Sequence, residues 1–209
     1  MTHNKSSDSQ QISFAQELVR KGTHLGALII PGTYLIAGLS KGEMLAIMIP
    51  VTMLMILIDI SRLRRWRFWT SFGERIGGGM IRPHERSGDF TGATYILLTV
   101  CVTVAMFDKS LAVTALAFIM VGDTFAALVG RRWGRHRIGD KSLEGSAACL
   151  ASLLVVVAVV PSLPWEVGLI GALVATVVEA LPWRIDDNVT VPLLSGLAMT
   201  LAVRFLVAF

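Results

Sequence analysis

Ser110-Leu-Ala-Val-Thr-Ala-Leu-Ala-Phe-Ile-Met-Val-Gly-Asp123-Thr-Phe-Ala-Ala-Leu-Val129 is a run of 20 residues with a single ionisable side chain. A helix needs about 20 predominantly apolar residues to cross a hydrocarbon core about 30 Å thick, so the run has the length of one crossing. Similar stretches occupy His24–Ser40, Glu43–Ile60, Thr91–Phe107, Gly145–Val160, Trp165–Leu181 and Val189–Leu206. Over the 209 residues, 54% are hydrophobic and 16% charged, with a mean hydropathy of +0.65, a balance that excludes a water-soluble core. The expected fold is all-α: a polytopic membrane helical bundle of about seven transmembrane helices.

Charge orients the bundle. If the N-terminus is cytoplasmic, every one of the 19 lysines and arginines except Lys41, Lys109 and Arg204 falls on the inner side, as the positive-inside rule requires. The net charge of +4 is therefore a topology signal, and it gives no reason to expect a nucleic acid partner. Arg62-Leu-Arg-Arg-Trp-Arg-Phe-Trp69 suits an interfacial anchor against membrane lipids. Residues 1–11 read as a disordered polar tail and residues 12–209 as one transmembrane catalytic domain. Cys101 and Cys149 lie inside apolar runs, as two unpaired thiols rather than a disulfide.

Anchoring does not account for the acidic residues, since a carboxylate at mid-span costs roughly 2.5–3.5 kcal/mol. Asp59, Asp123, Glu144 and Glu179 fall within or at the inner ends of the expected helices, on the side of the basic loops. Asp123, Ala126, Ala127 and Gly130 share one helical face, so a carboxylate stands among small residues that permit close approach. Small residues also serve helix packing alone, which explains Ala126 and Gly130 but not Asp123. The following loop carries Arg131, Arg132, Arg135, Arg137 and Lys141 beside Gly130, Gly134 and Gly139. Cationic groups, exposed backbone N–H groups and nearby carboxylates are what a nucleoside triphosphate with magnesium requires. The loop is not a Walker A motif: Asp140 interrupts the pattern and no strand precedes it.

Three further clusters lie towards the same side. Glu17, Arg20, Lys21 and His24 form one helical stripe, suited equally to phosphate contact, proton transfer or plain anchoring. Glu85 and Arg86 lead towards Thr91, Gly92 and Tyr95. Glu179 precedes Asp186-Asp187-Asn188, where Asp187 serves equally as a helix cap or as a chemical group.

Together these motifs resemble the CTP-dependent lipid kinases, the family of dolichol kinase, phytol kinase and the CTP-using diacylglycerol kinase of yeast type. Arg20, Lys21 and His24 are similar to its Arg-Lys-x-x-His opening. Asp123, Ala126, Gly130, Gly134, Lys141, Glu144 and Gly145 are similar to its nucleotide motif, and Glu179 with Asp187-Asn188 to its acidic end. Asp140, Ser142 and a short spacer depart from the dolichol kinase pattern, and the chain looks like a compact prokaryotic member. The resemblance implies transfer of the terminal phosphoryl group of CTP to a membrane lipid alcohol at the cytoplasmic face of a prokaryotic cell membrane. It implies Mg²⁺ on Asp123 and Glu144, with Asp187 or Glu179 as a further ligand or general base. Lys21 and His24 join the catalytic set. Arg20, Lys21, Arg131 and Lys141 would meet phosphate, with Gly130, Gly134, Ser142 and Gly145 beside the nucleotide. The rivals are a CTP:phosphatidate cytidylyltransferase, which would release pyrophosphate, and an ion-coupled transporter. The outer half of the spans is almost bare of charge, which counts against the transporter.

Overall fold

A computed structural model of the chain describes residues 14–67, 69, 88–139, 141–182 and 185–207. The expected tail over residues 1–11, together with Glu85, Arg86 and Asp140, lies outside the described residues, as does the side chain of Glu17. The chain runs as helices α1 (Phe14–Gly26), α2 (Ile29–Ile36), α3 (Lys41–Leu63), α4 (Gly92–Met106) and α5 (Lys109–Trp133). A two-stranded hairpin follows, β1 (Arg137–Ile138) with β2 (Lys141–Ser142), and then α6 (Leu143–Val159), α7 (Trp165–Ala180) and α8 (Asp187–Ala202) with a π-helical turn over Val203–Val207.

Helix α5 forms the centre because it is apolar on all sides. Every residue from Leu111 to Met120 is buried, as expected of a helix with no polar stripe to show to solvent. It packs on α6 and α8, and along other faces on α1, α2, α4 and α7. Lysines tie the loops at the end where α5 begins: Lys109 Nζ donates to Leu39 O at 2.7 Å and stands 4.9 Å over the Tyr34 ring, while Lys41 Nζ donates to Ala105 O at 3.2 Å. Helix α3 starts at this end with a capping box: Ser40 Oγ accepts from Glu43 N, and Ser40 N donates to Glu43 Oε2 at 2.8 Å. At the opposite end, Trp66 follows α3 and Trp133 closes α5, both exposed, whereas Trp165 opens α7 from the lysine-tied end.

Three helical segments among the described residues, Lys41–Leu63, Lys109–Trp133 and Asp187–Leu206, are long and apolar enough to cross a membrane. Gly92–Met106 and Leu143–Val159 are shorter apolar helices. The first expected span, His24–Ser40, is not one helix. Pro31 has no N–H for the Ala27 carbonyl and in a continuous helix its ring would clash with that carbonyl; Ala27 O instead takes Ile30 N at 3.0 Å and the chain divides into α1 and α2. Nor is the chain wholly α: Arg137 pairs with Ser142 and Ile138 with Lys141, and the connection passes through Gly139 at φ +60°, a conformation that glycine adopts without penalty.

Candidate active site

At the end of the bundle away from the lysine-tied loops, α1, α5, the hairpin, α6 and α7 enclose a cavity of about 390 Å³. One wall is the small-residue face of α5, on which Asp123, Ala126, Ala127 and Gly130 follow one another as their spacing predicts. Arg20 and Lys21 of α1 close one side, Arg131, Arg137 and Lys141 another. Ser142, Gly145 and Ser146 come from the start of α6, and Glu179 from the end of α7.

Two lysines organise the charge. Lys21, 2% exposed, places Nζ 2.5 Å from Asp123 Oδ2, and His24 Nε2 stands 3.5 Å from the same oxygen and 3.3 Å from Ile119 O. Lys141 Nζ lies 3.1 Å from Glu179 Oε1 and 2.9 Å from Asp187 Oδ2, and it also donates to the Glu179 carbonyl. Burial draws the Lys141 ammonium towards deprotonation, but the hydrogen bonds and charges of Asp187 and Glu179 outweigh it and hold the pKa above the ordinary lysine value. Lys141 is therefore cationic throughout the neutral range. Asp186, not Asp187, caps α8, accepting from Asn188 N at 2.8 Å, and this leaves Asp187 for Lys141.

The three glycines of the expected nucleotide motif gather around Ser142. A Cβ on Gly130 would stand 2.9 Å from Ser142 Oγ, one on Gly134 2.2 Å from Gly130 O, and one on Gly145 2.8 Å from Ala126 O. Their absent side chains let α5 and α6 touch along the cavity floor. Ser142 Oγ in turn caps α6, accepting from Gly145 N at 3.1 Å.

Glu144 points elsewhere. Its carboxylate accepts from Arg135 N at 3.1 Å, from His136 N at 3.3 Å and pairs with His136 Nδ1 at 2.7 Å. The expected magnesium set of Asp123, Glu144 and Asp187 thus does not converge, and among the described residues no three His, Cys, Asp or Glu side chains form a ready metal cluster. The cavity still suits Mg²⁺ brought by a nucleotide, because that ion takes one or two protein carboxylates together with phosphate oxygens. Asp123 and Glu179 are the two carboxylates lining the cavity.

Asp59 does not line the cavity. It is 1% exposed and accepts from Arg62 Nε at 3.0 Å, Thr91 N at 2.8 Å, Thr91 Oγ1 at 2.9 Å and Thr94 Oγ1 at 2.6 Å. This network joins the end of α3 to the start of α4, a role that the sequence position of Asp59 does not announce. Arg137, like Ser146, is a polar lining residue missing from the expected site set. Its place on a strand opposite Ser142 depends on a hairpin too short to show as an alternating pattern.

Known proteins resemble this chain over most of its length. An uncharacterized protein of Rickettsia prowazekii is 29% identical over 198 residues, covering 90% of this chain and 95% of that protein. A probable chloroplastic phytol kinase of Oryza sativa subsp. japonica is 27% identical over 205 residues, 88% of this chain and 63% of the relative. A CTP-dependent diacylglycerol kinase of Schizosaccharomyces pombe is 24% identical over 159 residues, 66% of this chain and 71% of the relative. The chain resembles the CTP-dependent lipid kinase family. It spans less than two thirds of the rice phytol kinase, and no family model and no solved structure matches it significantly. The three long apolar helical segments and these relatives together accord with a membrane protein.

Proposed function

We propose that the chain is a multi-pass membrane kinase that transfers the terminal phosphoryl group of CTP to the hydroxyl of a lipid alcohol of the polyprenol, dolichol or phytol kind, or to diacylglycerol, at the cytoplasmic face. The observation that carries the reading is the meeting of Lys21–Asp123 and Lys141–Glu179 in one cavity at the end of an apolar bundle. The names of the phytol kinase and diacylglycerol kinase relatives support the donor and the acceptor class.

Phosphoryl transfer asks mainly for positioning and for neutralised charge. Arg20, Lys21, Arg131, Arg137 and Lys141 offer cationic contacts for the triphosphate. The lipid hydroxyl oxygen attacks the terminal phosphorus, the bond from that phosphorus to the bridging oxygen breaks, and CDP leaves with the bond's electron pair. The hydroxyl proton passes to a carboxylate, for which Glu179, 5% exposed and facing the cavity, is the choice. Mg²⁺, when bound with the nucleotide, would be held by Asp123 with Glu179 nearby and would offset charge on the phosphate oxygens. The apolar acceptor chain lies among helices while its hydroxyl enters the polar end.

The test is incubation of purified protein with labelled CTP and a panel of lipid alcohols, with identification of both products. A labelled lipid phosphate with CDP is expected, and pyrophosphate would show a cytidylyltransferase instead. The same assay with ATP at equal magnesium is expected to give lower efficiency, because each buried polar group left unpaired by the wrong base costs about 1–3 kcal/mol. Equal efficiency would reject the CTP assignment.

A further inference from the structure

The hairpin between α5 and α6 is short, and its β2 strand is tied to α7 and α8 through Lys141. Its strands are two residues each and its turn passes through Gly139. Yet it supplies two of the cavity's cations, Arg137 and Lys141. Its entry is fixed from one side chain: Glu144 receives the N–H groups of Arg135 and His136 and the His136 ring, while Leu143 N donates to His136 O at 3.0 Å. Charge-assisted bonds of this kind are about twice as strong as neutral ones. The same helical turn separates Glu144 from the cavity. Gly145 and Ser146 line the cavity from the first turn of α6, with Ser142 as its cap, and Glu144, about 200° around from Ser146, is not a lining residue.

We propose that Glu144 is a positioning residue, which clamps the Arg135–His136 backbone and thereby presents Arg137 and Lys141 to the triphosphate, and that it is not a metal ligand. The proposal rests on the kinase reading for its consequence in nucleotide use, while the clamp itself stands on the hydrogen bonds alone. A metal ligand would govern turnover and magnesium demand. A clamp governs how well the donor is held.

The experiment compares wild type with Glu144→Ala and Glu144→Gln, the latter keeping a neutral acceptor for the two N–H groups. For Glu144→Ala, KM for CTP is expected to rise at least about tenfold with kcat within about threefold, and Glu144→Gln to fall between it and wild type. The magnesium concentration giving half-maximal rate stays unchanged. Limited trypsin digestion in detergent, followed by mass spectrometry, reads the clamp without turnover: cleavage after Arg135 and Arg137 accelerates at least about fivefold in Glu144→Ala. Unchanged cleavage, an unchanged KM, or a collapse of kcat with a shifted magnesium midpoint overturns the proposal. If wild type phosphorylates no lipid alcohol, the kinase reading fails, and the digestion rates still decide for or against the clamp.

Discussion

Lys21 and Asp123 are each other's counter-charge at a site where water is scarce, so neither can be changed without consequence for the other. Asp123→Asn strands a buried ammonium, and breaking a buried pair in this way costs about 3 kcal/mol or more. The single variant should therefore insert into the membrane but melt at a lower temperature, with turnover reduced at least about 100-fold. Adding Lys21→Met should restore the melting temperature and leave turnover lost. Recovery of both would make the pair structural. Lys141 stands between two acids, so Lys141→Ala removes the proposed phosphate contact and also sets Glu179 against Asp187. A KM for CTP raised about tenfold or more is expected, with Lys141→Arg recovering much of it. Steady-state kinetics check both. The stripe of Arg20, Lys21 and His24 and the carboxylate Asp123 are legible in the sequence as separate features. Their meeting is not, because the partners lie 102 positions apart and periodicity reports only on neighbours in one helix. Glu144 shows the converse limit: spacing identifies a carboxylate beside a loop but not the direction in which it points.

Between elements, the glycines are the sensitive points. At Gly145 a Cβ would meet the Ala126 carbonyl at 2.8 Å and the Gly130 Cα at 3.3 Å, both main-chain atoms that cannot swing aside. Gly145→Ala should push α6 from α5, lower the melting temperature and reduce activity at least about tenfold. Gly22→Ala on α1 is the control: nothing lies within 4 Å of its Cβ, and alanine in a helix interior gains about 0.5–1 kcal/mol over glycine. Its melting temperature should hold or rise. The face formed by Asp123, Ala126, Ala127 and Gly130 was readable because a helix repeats every 3.6 residues. Hydropathy alone could not show the break before Pro31, since Ile29, Ile30 and Pro31 add apolar character while the proline removes a hydrogen bond.

Across the whole molecule, an expected cytoplasmic cavity end places Arg135 and Lys41 on opposite sides of the membrane. Single cysteines at these positions, with Cys101 and Cys149 replaced, should react with an impermeant maleimide in a complementary way. Arg135→Cys labels in inverted vesicles and Lys41→Cys in intact cells. The reverse pattern would place the cavity outside. Helical content and long apolar segments were legible because burial in lipid demands nearly unbroken apolar runs. The cavity was not, since it arises only when α1, α5, α6, α7 and the hairpin converge. The indole of Trp133, 63% exposed and one residue before Gly134, sits where the hairpin leaves α5, whereas Trp165 lies at the other end of the bundle. Of the five tryptophans, Trp133 is thus a natural fluorophore at the threshold of the polar end and Trp165 is remote from it. With Trp66, Trp69, Trp165 and Trp183 replaced by phenylalanine, Trp133 would emit alone, and the proposed nucleotide settling against the hairpin would become visible as a change in colour and brightness without any attached dye.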